Sequence, residues 1–448
     1  MINLYLKKIN KIDPKKNALI FNGEKLNYSD LTSKINYIYS VISSSFNEKK
    51  VVAILGDYSF NSIALVFALS KHKCVFVPII SSNETEVEKK IEICSPDYII
   101  DSKSLDIQHR KNQKSFSNNY YSYLFNLGKS GLVLFSSGST GVPKAMVHNF
   151  DNLLSSFLDV KTKDFTFLVF LMFDHIGGLN TMLNVLSMGS TMIIPDKREP
   201  EIIGRLMQEY NVNILPASPT FLNLMNIGGV FDSYNFSSLK LVTYGTEPMS
   251  ESLLTSLKLK LPKTKFIQTF GTSETGIIKT QSESSKSLLI KFEDDDQDIK
   301  IIDGELWIKS KTRVLGYLNH NNDAFTDDGW FKTGDLIEKK DDGYFKIIGR
   351  KSKIINVGGE KVLPIEIEKT ILDLSYVLDC TVYAKDNLIT GQVVAVKVVV
   401  GSIDTDIKIL KKEIKLHCKN KLERYKVPAE IIITDKITYS SRFKKSLE

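Results

Sequence analysis

The stretch FSSGSTGVPKAMVH, Phe135 to His148, follows directly on the apolar run that begins at Gly131. A strand-like segment thus empties into Ser136, Ser137, Gly138, Ser139, Thr140 and Gly141, small residues whose backbone N–H groups can approach an anion closely. Their hydroxyls add donors, and Lys144 adds a compact charge suited to phosphate. The loop is not GxxxxGK[ST], because Lys144 follows proline and precedes Ala145, so a P-loop NTPase is disfavoured. From these residues alone, a phosphate cradle and a plain Ser/Gly turn both stand.

Working outward, strand-like runs alternate with helical patterns through the first three quarters of the chain. VVAILG (Val51–Gly56) precedes an amphipathic stretch, Phe60–Lys71, and then CVFVPII (Cys74–Ile80); SPDYIID, NILPAS and LKLVTYG repeat the strand pattern. This alternation predicts βαβ units on a mostly parallel sheet. After about Ser282 the texture changes. Turns such as TDDGW and KDDGY separate short alternating strands, which favours antiparallel hairpins. Beyond Arg350 an α+β pattern follows: strand Lys353–Val357, helix Pro364–Leu374, strands Cys380–Ala384 and Gln392–Val400, and a helix around Ile407–Leu422. The expected architecture is α/β. A large N-terminal domain of parallel βαβ-type sheets with a β-rich subdomain spans 1–349, and a small α+β domain spans 350–448.

At 448 residues, 42% hydrophobic and 25% charged, the chain is long enough and apolar enough for several buried cores. A net charge of +7 on scattered lysines gives no indication of a nucleic-acid partner. Four distant cysteines without CxxC spacing argue against a zinc site or a disulfide framework. The acidic run EDDDQD (Glu293–Asp298) reads as a solvated loop. FTFLVFLMF (Phe165–Phe173) is far shorter than the roughly 20 residues of a spanning helix, and the N-terminus lacks a signal-peptide core. A soluble, cytoplasmic protein is expected; oligomeric state is not legible.

Set in order, the motifs resemble those of the adenylate-forming superfamily, which includes acyl- and aryl-CoA synthetases, adenylation domains of peptide synthetases, and luciferases. SSGSTGVPKA is similar to that family's phosphate-loop signature, departing from it at Ala145, where glycine is usual. VTYGTEPMS (Val242–Ser250), FGTSETG (Phe270–Gly276), GELWIKSKTRVLGYLN (Gly304–Asn319), WFKTGDL (Trp330–Leu336) and GRKSKIINVGGEKVLPIEIE (Gly349–Glu368) follow in family order.

The resemblance implies a site. Ser136–Gly141 with Lys144 would hold the triphosphate, Thr140 and Ser273 supplying catalytic hydroxyls. Gly245, Thr246, Glu247 and Pro248 would line the adenine, with Phe270 stacking on it and Gly271, Thr272 and Ser273 beside the nucleotide. Glu274 would hold magnesium, and Asp335 and Arg350 would reach the ribose. The tail ITYSSRFKKSLE loosely resembles the segment that carries the family's catalytic lysine; Lys444 fits best, with Lys445 as competitor. The family rotates its C-terminal domain between half-reactions about a hinge that aligns with Ser352. In the second state Gly358, Gly359 and Glu360 would line a thiol tunnel.

FDHIGGLNTML (Phe173–Leu183) places His175 at the acid pocket, where amino-acid-activating relatives carry aspartate, so an acid without an ammonium group is favoured; a one-residue shift to Asp174 would reverse this. Gly178, Pro219 and Thr220 are further candidates for the acid pocket, and Gly177, Gly228 and Gly229 would leave room there or mark turns. The expected reaction is ATP-dependent conversion of a small carboxylic acid to an acyl-adenylate, then transfer to coenzyme A or a phosphopantetheinyl carrier protein. The rivals are a stand-alone amino-acid adenylating enzyme and a degenerate nucleotide-binding protein.

Overall fold

The computed structural model describes the chain except residues 82, 111–118, 137–141, 294–296, 402–405, 436, 440–444 and 447–448. Two seven-stranded sheets dominate it. In the first, Gly131–Ser136, Val75–Ile79, Val51–Leu55 and Tyr98–Asp101 run parallel, flanked by antiparallel Lys144–Asn149 and Ile107–His109, with Gly316–Tyr317 antiparallel on the outer edge of Lys144–Asn149. The second runs in the order Lys265–Gln268, Leu241–Tyr244, Ile214–Ala217, Thr166–Leu168, Thr191–Ile194, Asn17–Phe21, Glu24–Asn27, parallel except for its last hairpin.

One core joins both sheets. Val52, Phe76 and Leu134 of the first sheet share it with Leu19, Phe167 and Met192 of the second and with helix Phe60–Lys71. That helix reads as amphipathic in sequence, yet every residue from Ser62 to Ser70 is buried. A helix packed into such a shared core has no free face, and its FNSIALVFAL run is apolar on nearly all sides. Ser70 is accommodated by a 2.8 Å hydroxyl pair with Ser130, and Ser62 closes a capping box with Ser59.

The charged second part forms a six-stranded antiparallel sheet, Thr280–Ser282, Leu289–Phe292, Phe345–Arg350, Phe331–Lys339, Glu305–Ser310, Gln297–Ile302. Its tightest turn is Asp303–Gly304, with φ of 50° and 76° as a two-residue hairpin turn requires. Gln297 and Asp298 of the acidic run open a strand rather than extend a loop.

A last sheet joins Glu360–Val362, Ile355–Val357, Gly391–Val400 and Val377–Asn387, with Glu430–Thr434 parallel to Gly391–Val400 and helices Pro364–Leu372 and Ile407–Lys421 packed on it. Lys351–Lys353 is a 3₁₀ turn, so the strand expected from Lys353 starts at Ile355. Among the described residues, no helix is long and apolar enough to cross a membrane.

His148, within Lys144–Asn149, is fully buried, and desolvation pushes its pKa from 6.5 down to about 3. The unfolded chain takes up that proton near pH 6.5 and the folded chain only near 3. Stability therefore falls as the pH drops through this window, by about 1.4 kcal/mol per unit. His148→Leu is expected to narrow the gap in melting temperature between about pH 7.5 and pH 5; an unchanged gap would refute this.

Candidate active site

The loops that leave the parallel strands Ile214–Ala217, Leu241–Tyr244 and Lys265–Gln268 at their carboxyl ends open into a cleft of about 2180 Å³. Ligands in open α/β sheets bind outside such strand ends. The opposite wall comes from the antiparallel sheet, through Asp335 and Arg350, and from helix Pro364–Leu372 and strand Val377–Asn387 of the last sheet. The volume exceeds the roughly 300–1,000 Å³ of ordinary small-molecule pockets, leaving room for a nucleotide beside a second reactant.

Gly245, Thr246, Glu247 and Pro248 all line this cleft. A Cβ on Gly245 would lie 2.7 Å from the Thr269 carbonyl oxygen, so only glycine lets the loop pass there. Thr246 sits at φ 72°, a left-handed conformation costly for a β-branched residue and frequent at ligand sites. Glu247 accepts a hydrogen bond from the Thr220 N–H at 2.7 Å, tying this loop to Pro219 and Thr220, which also line the cleft. Phe270 and Gly271 face the cleft beside them. Behind, the Phe270 ring is held edge-to-face by Phe292 at 5.6 Å.

Ser137, Gly138, Ser139, Thr140 and Gly141 lie outside the described residues. Their flanks are well defined. Ser136 and Lys144 pair across an antiparallel ladder, which closes the base of the loop. Asn319 clamps the returning leg: its Oδ1 accepts from the Ala145 N–H at 3.0 Å and its Nδ2 donates to the Pro143 carbonyl at 2.8 Å. The buried Ala145 methyl is accommodated there in place of glycine. No spacing in the sequence signals this clamp, because Asn319 lies 174 residues from Ala145 and 176 from Pro143. Asn319→Ala is expected to raise the KM for ATP about tenfold, the loss of roughly one hydrogen bond's worth of positioning, while Asn319→Asp, which keeps only the acceptor, falls between. Equal ATP kinetics in all three proteins would exclude the clamp.

Glu274 lies in the turn between Phe270–Thr272 and Gly276–Ile278, a turn closed by the Thr275 N–H donating to Thr272 Oγ1 at 3.1 Å. The Tyr317 hydroxyl donates to Glu274 Oε1 at 2.9 Å, and burial together with the Glu274 charge raises the phenol pKa, keeping it a donor. The Lys144 ammonium lies 5.8 Å from the centroid of the same Tyr317 ring. Tyr317 therefore joins the phosphate-loop lysine to the candidate metal carboxylate, a role that no sequence spacing revealed. Lys144, Thr272, Ser273 and Glu274 are not among the described residues that line the cleft.

Asp335 and Arg350 lie directly opposite each other on adjacent strands, and the guanidinium donates to the buried carboxylate at 2.8 Å. The TGD corner is held by Glu305, whose buried carboxylate accepts from the Gly334 N–H at 3.0 Å and pairs with Lys351 at 3.2 Å. The conformation at Gly334, φ 72°, is one that glycine adopts freely.

Two candidates for the acid pocket, His175 and Gly178, do not line this cleft, and Gly358–Glu360, expected at a thiol tunnel only after a domain rotation, lie away from it in this state. His175 caps helix Ile176–Met188, its Nδ1 accepting from the Gly177 N–H at 3.1 Å, and it does not line the cleft; the neighbouring Asp174 does. Gly178 is needed for close packing, since a Cβ there would lie 2.1 Å from the Met172 carbonyl oxygen, and Gly228–Gly229 form the turn that follows the cleft residues Asn226 and Ile227 without lining the cleft themselves. Gly358 and Gly359, at φ 61° and 97°, make the tight hairpin turn before Glu360, and none of the three lines the cleft. Lys444 lies outside the described residues; Lys445 pairs with Tyr439, whose hydroxyl donates at 2.9 Å to Asp379, a cleft residue.

Two family models match the chain: AMP-binding enzyme over residues 130–318 and AMP-binding enzyme C-terminal domain over 366–444. The chain belongs to the AMP-binding, adenylate-forming enzyme family. It is an AMP-forming acid–CoA ligase, which activates a carboxylic acid with ATP and passes the acyl group to coenzyme A. It is similar to the 2-succinylbenzoate–CoA ligase of Listeria monocytogenes serovar 1/2a, 24% identical over 97% of this chain and 95% of the relative. It is likewise similar to that of Bacillus pumilus, 25% identical over 95% and 93%. Its fold matches the o-succinylbenzoate CoA synthetase of Bacillus subtilis solved with its acyl-adenylate intermediate, with a TM-score of 0.78, 21% identity and coverage of 98% and 96%. It also matches an anthranilate CoA ligase in complex with anthranoyl-AMP, with a TM-score of 0.83, 16% identity and coverage of 99% and 95%.

Proposed function

We propose that the acid is an aromatic keto-dicarboxylate of the 2-succinylbenzoate type, activated at one carboxylate while the other stays free. The similarity to ligases of that acid over nearly the whole of both chains carries this reading. The amino-acid alternative meets an obstacle in the cleft. Asp174 is the residue that could face an ammonium, but the Lys90 ammonium already lies 3.8 Å from it and would repel a second cation.

A carboxylate does not acylate a thiol at neutral pH because its leaving group is poor. Joining it to the α-phosphorus of ATP brings two anions together, so the protein must neutralise charge and hold an in-line geometry. In this proposal Ser136–Gly141 and Lys144 hold the β- and γ-phosphates, Gly245–Pro248 and Phe270 hold the adenine, and Asp335 and Arg350 hold the ribose. The Glu274 carboxylate, oriented by Tyr317, is a fitting ligand for magnesium, which would supply positive charge against that of the phosphates. Lys444 meets the developing charge at the α-phosphate. We further propose that 1–349 and 350–448 are the two bodies that move between half-reactions, turning at Ser352 in the Lys351–Lys353 turn. That rotation would bring Gly358–Glu360 to the cleft for the thiol step, where helix Pro364–Leu372 now stands.

The test is a panel of aromatic keto-acids, dicarboxylates, fatty acids and amino acids with ATP and magnesium, with and without coenzyme A. Adenylates and thioesters are read by mass. Turnover of 2-succinylbenzoate above the others supports the reading; turnover confined to amino acids or simple fatty acids overturns it.

A further inference from the structure

Lys90 lines the cleft and is only 2% exposed, an unusual setting for an ammonium. It projects from helix Glu84–Cys94, with its Nζ 5.8 Å from the centroid of the Phe135 ring, one residue before the phosphate loop begins. Its ion-pair partners differ in kind. Asp174, itself 2% exposed, lies at 3.8 Å, beyond hydrogen-bond length. Glu86 lies at 2.7 Å, but its side chain is 46% exposed on the same helix, one turn away. A lysine ammonium carries three donors, and one hydrogen bond to a solvent-facing carboxylate is a poor return for burial. Asp174 is part of the packed wall, whereas Glu86 sits at the solvent edge, its other carboxylate oxygen accepting from the Ser81 hydroxyl at 2.9 Å.

We propose that Lys90 determines substrate specificity by receiving the carboxylate of the acid that is not adenylated, with Glu86 as the occupant it displaces. The assignment rests on the dicarboxylate reading of the substrate. Asp174 keeps the ammonium aimed into the cleft, and the incoming carboxylate restores the charge balance that Glu86 gives up. An acid lacking the second carboxylate leaves Glu86 in place and gains nothing from Lys90.

Adenylation is measured by pyrophosphate exchange with 2-succinylbenzoate and with its two monoacids, 4-oxo-4-phenylbutanoate and 2-butanoylbenzoate. The wild type is expected to use the dicarboxylate at least tenfold better than whichever monoacid it accepts. Lys90→Met is expected to lower kcat/KM for 2-succinylbenzoate 30- to 100-fold. The accepted monoacid should stay within threefold and the KM for ATP should not change. Glu86→Gln, at a half-exposed position that should not disturb folding, is expected to lower the KM for the dicarboxylate alone, and it decides the matter if Lys90→Met fails to fold. Equal losses on both acids, a raised KM for ATP, or a Glu86→Gln protein with unaltered KM would overturn the role of Lys90 while leaving the substrate class standing. A wild type active on neither kind of acid would overturn the substrate class and this role with it.

Discussion

In Lys444→Ala, pyrophosphate exchange driven by the acid falls by roughly 10²–10³-fold while ATP still binds, the range seen when one preorganised charge donor to a transition state is removed. The step unites a carboxylate with a phosphate ester, and the extra negative charge at the α-phosphate is greatest in the transition state. A cation that arrives there acts on the barrier more than on ground-state binding. The described residues that flank Lys444 are linked to the cleft wall. Lys445 pairs with Tyr439, and Tyr439 is bonded to Asp379 on the cleft wall, so this end of the chain is tied to the site. Lys445→Ala is the control. If Lys445→Ala abolishes exchange and Lys444→Ala does not, the role moves by one residue. Thioester formation from a synthetic acyl-adenylate should survive in Lys444→Ala, because that half-reaction no longer contains the pentavalent phosphorus.

The second large effect is expected at Glu274. Glu274→Gln should lower adenylation about 10²-fold, with the loss partly recovered at high magnesium, because a neutral amide is a much weaker ligand for a hard cation. The carboxylate is fixed from two sides: its backbone carbonyl accepts from the Val314 N–H at 2.8 Å, and its Oε1 accepts from Tyr317 at 2.9 Å. Tyr317→Phe removes only the second and should cost about three- to tenfold, with a raised magnesium requirement. A Glu274→Gln protein with wild-type magnesium dependence would remove Glu274 from the metal site.

Much of the fold was legible because it is local. Apolar runs bounded by helical patterns announced the parallel strands, and helix Phe60–Lys71 has the bounds the pattern suggested. Its burial on all sides was not legible, because a helix does not record how many sheets share its core. Gly245–Pro248, Asp335 and Arg350, which the family resemblance singles out, do line one cleft. The supports were not legible: Asn319 is joined to Pro143 and Ala145 across 176 and 174 residues of chain, and Tyr317 to Glu274 across 43.

The sequence by itself determined the protein's class, because its motifs stand in the order of one known family; residue types alone left the Ser/Gly loop open between a phosphate cradle and a plain turn. Tertiary structure alone decided which side chains line the cleft. At the corner before helix Ile176–Met188, a single step in register separates Asp174, on the cleft wall, from His175, folded back as a helix cap. Successive side chains at such a corner point in widely different directions, so letters and spacing cannot tell the two apart. For the same reason Lys90, one of two adjacent lysines on a helix with no motif, becomes a cleft residue only once the chain is folded.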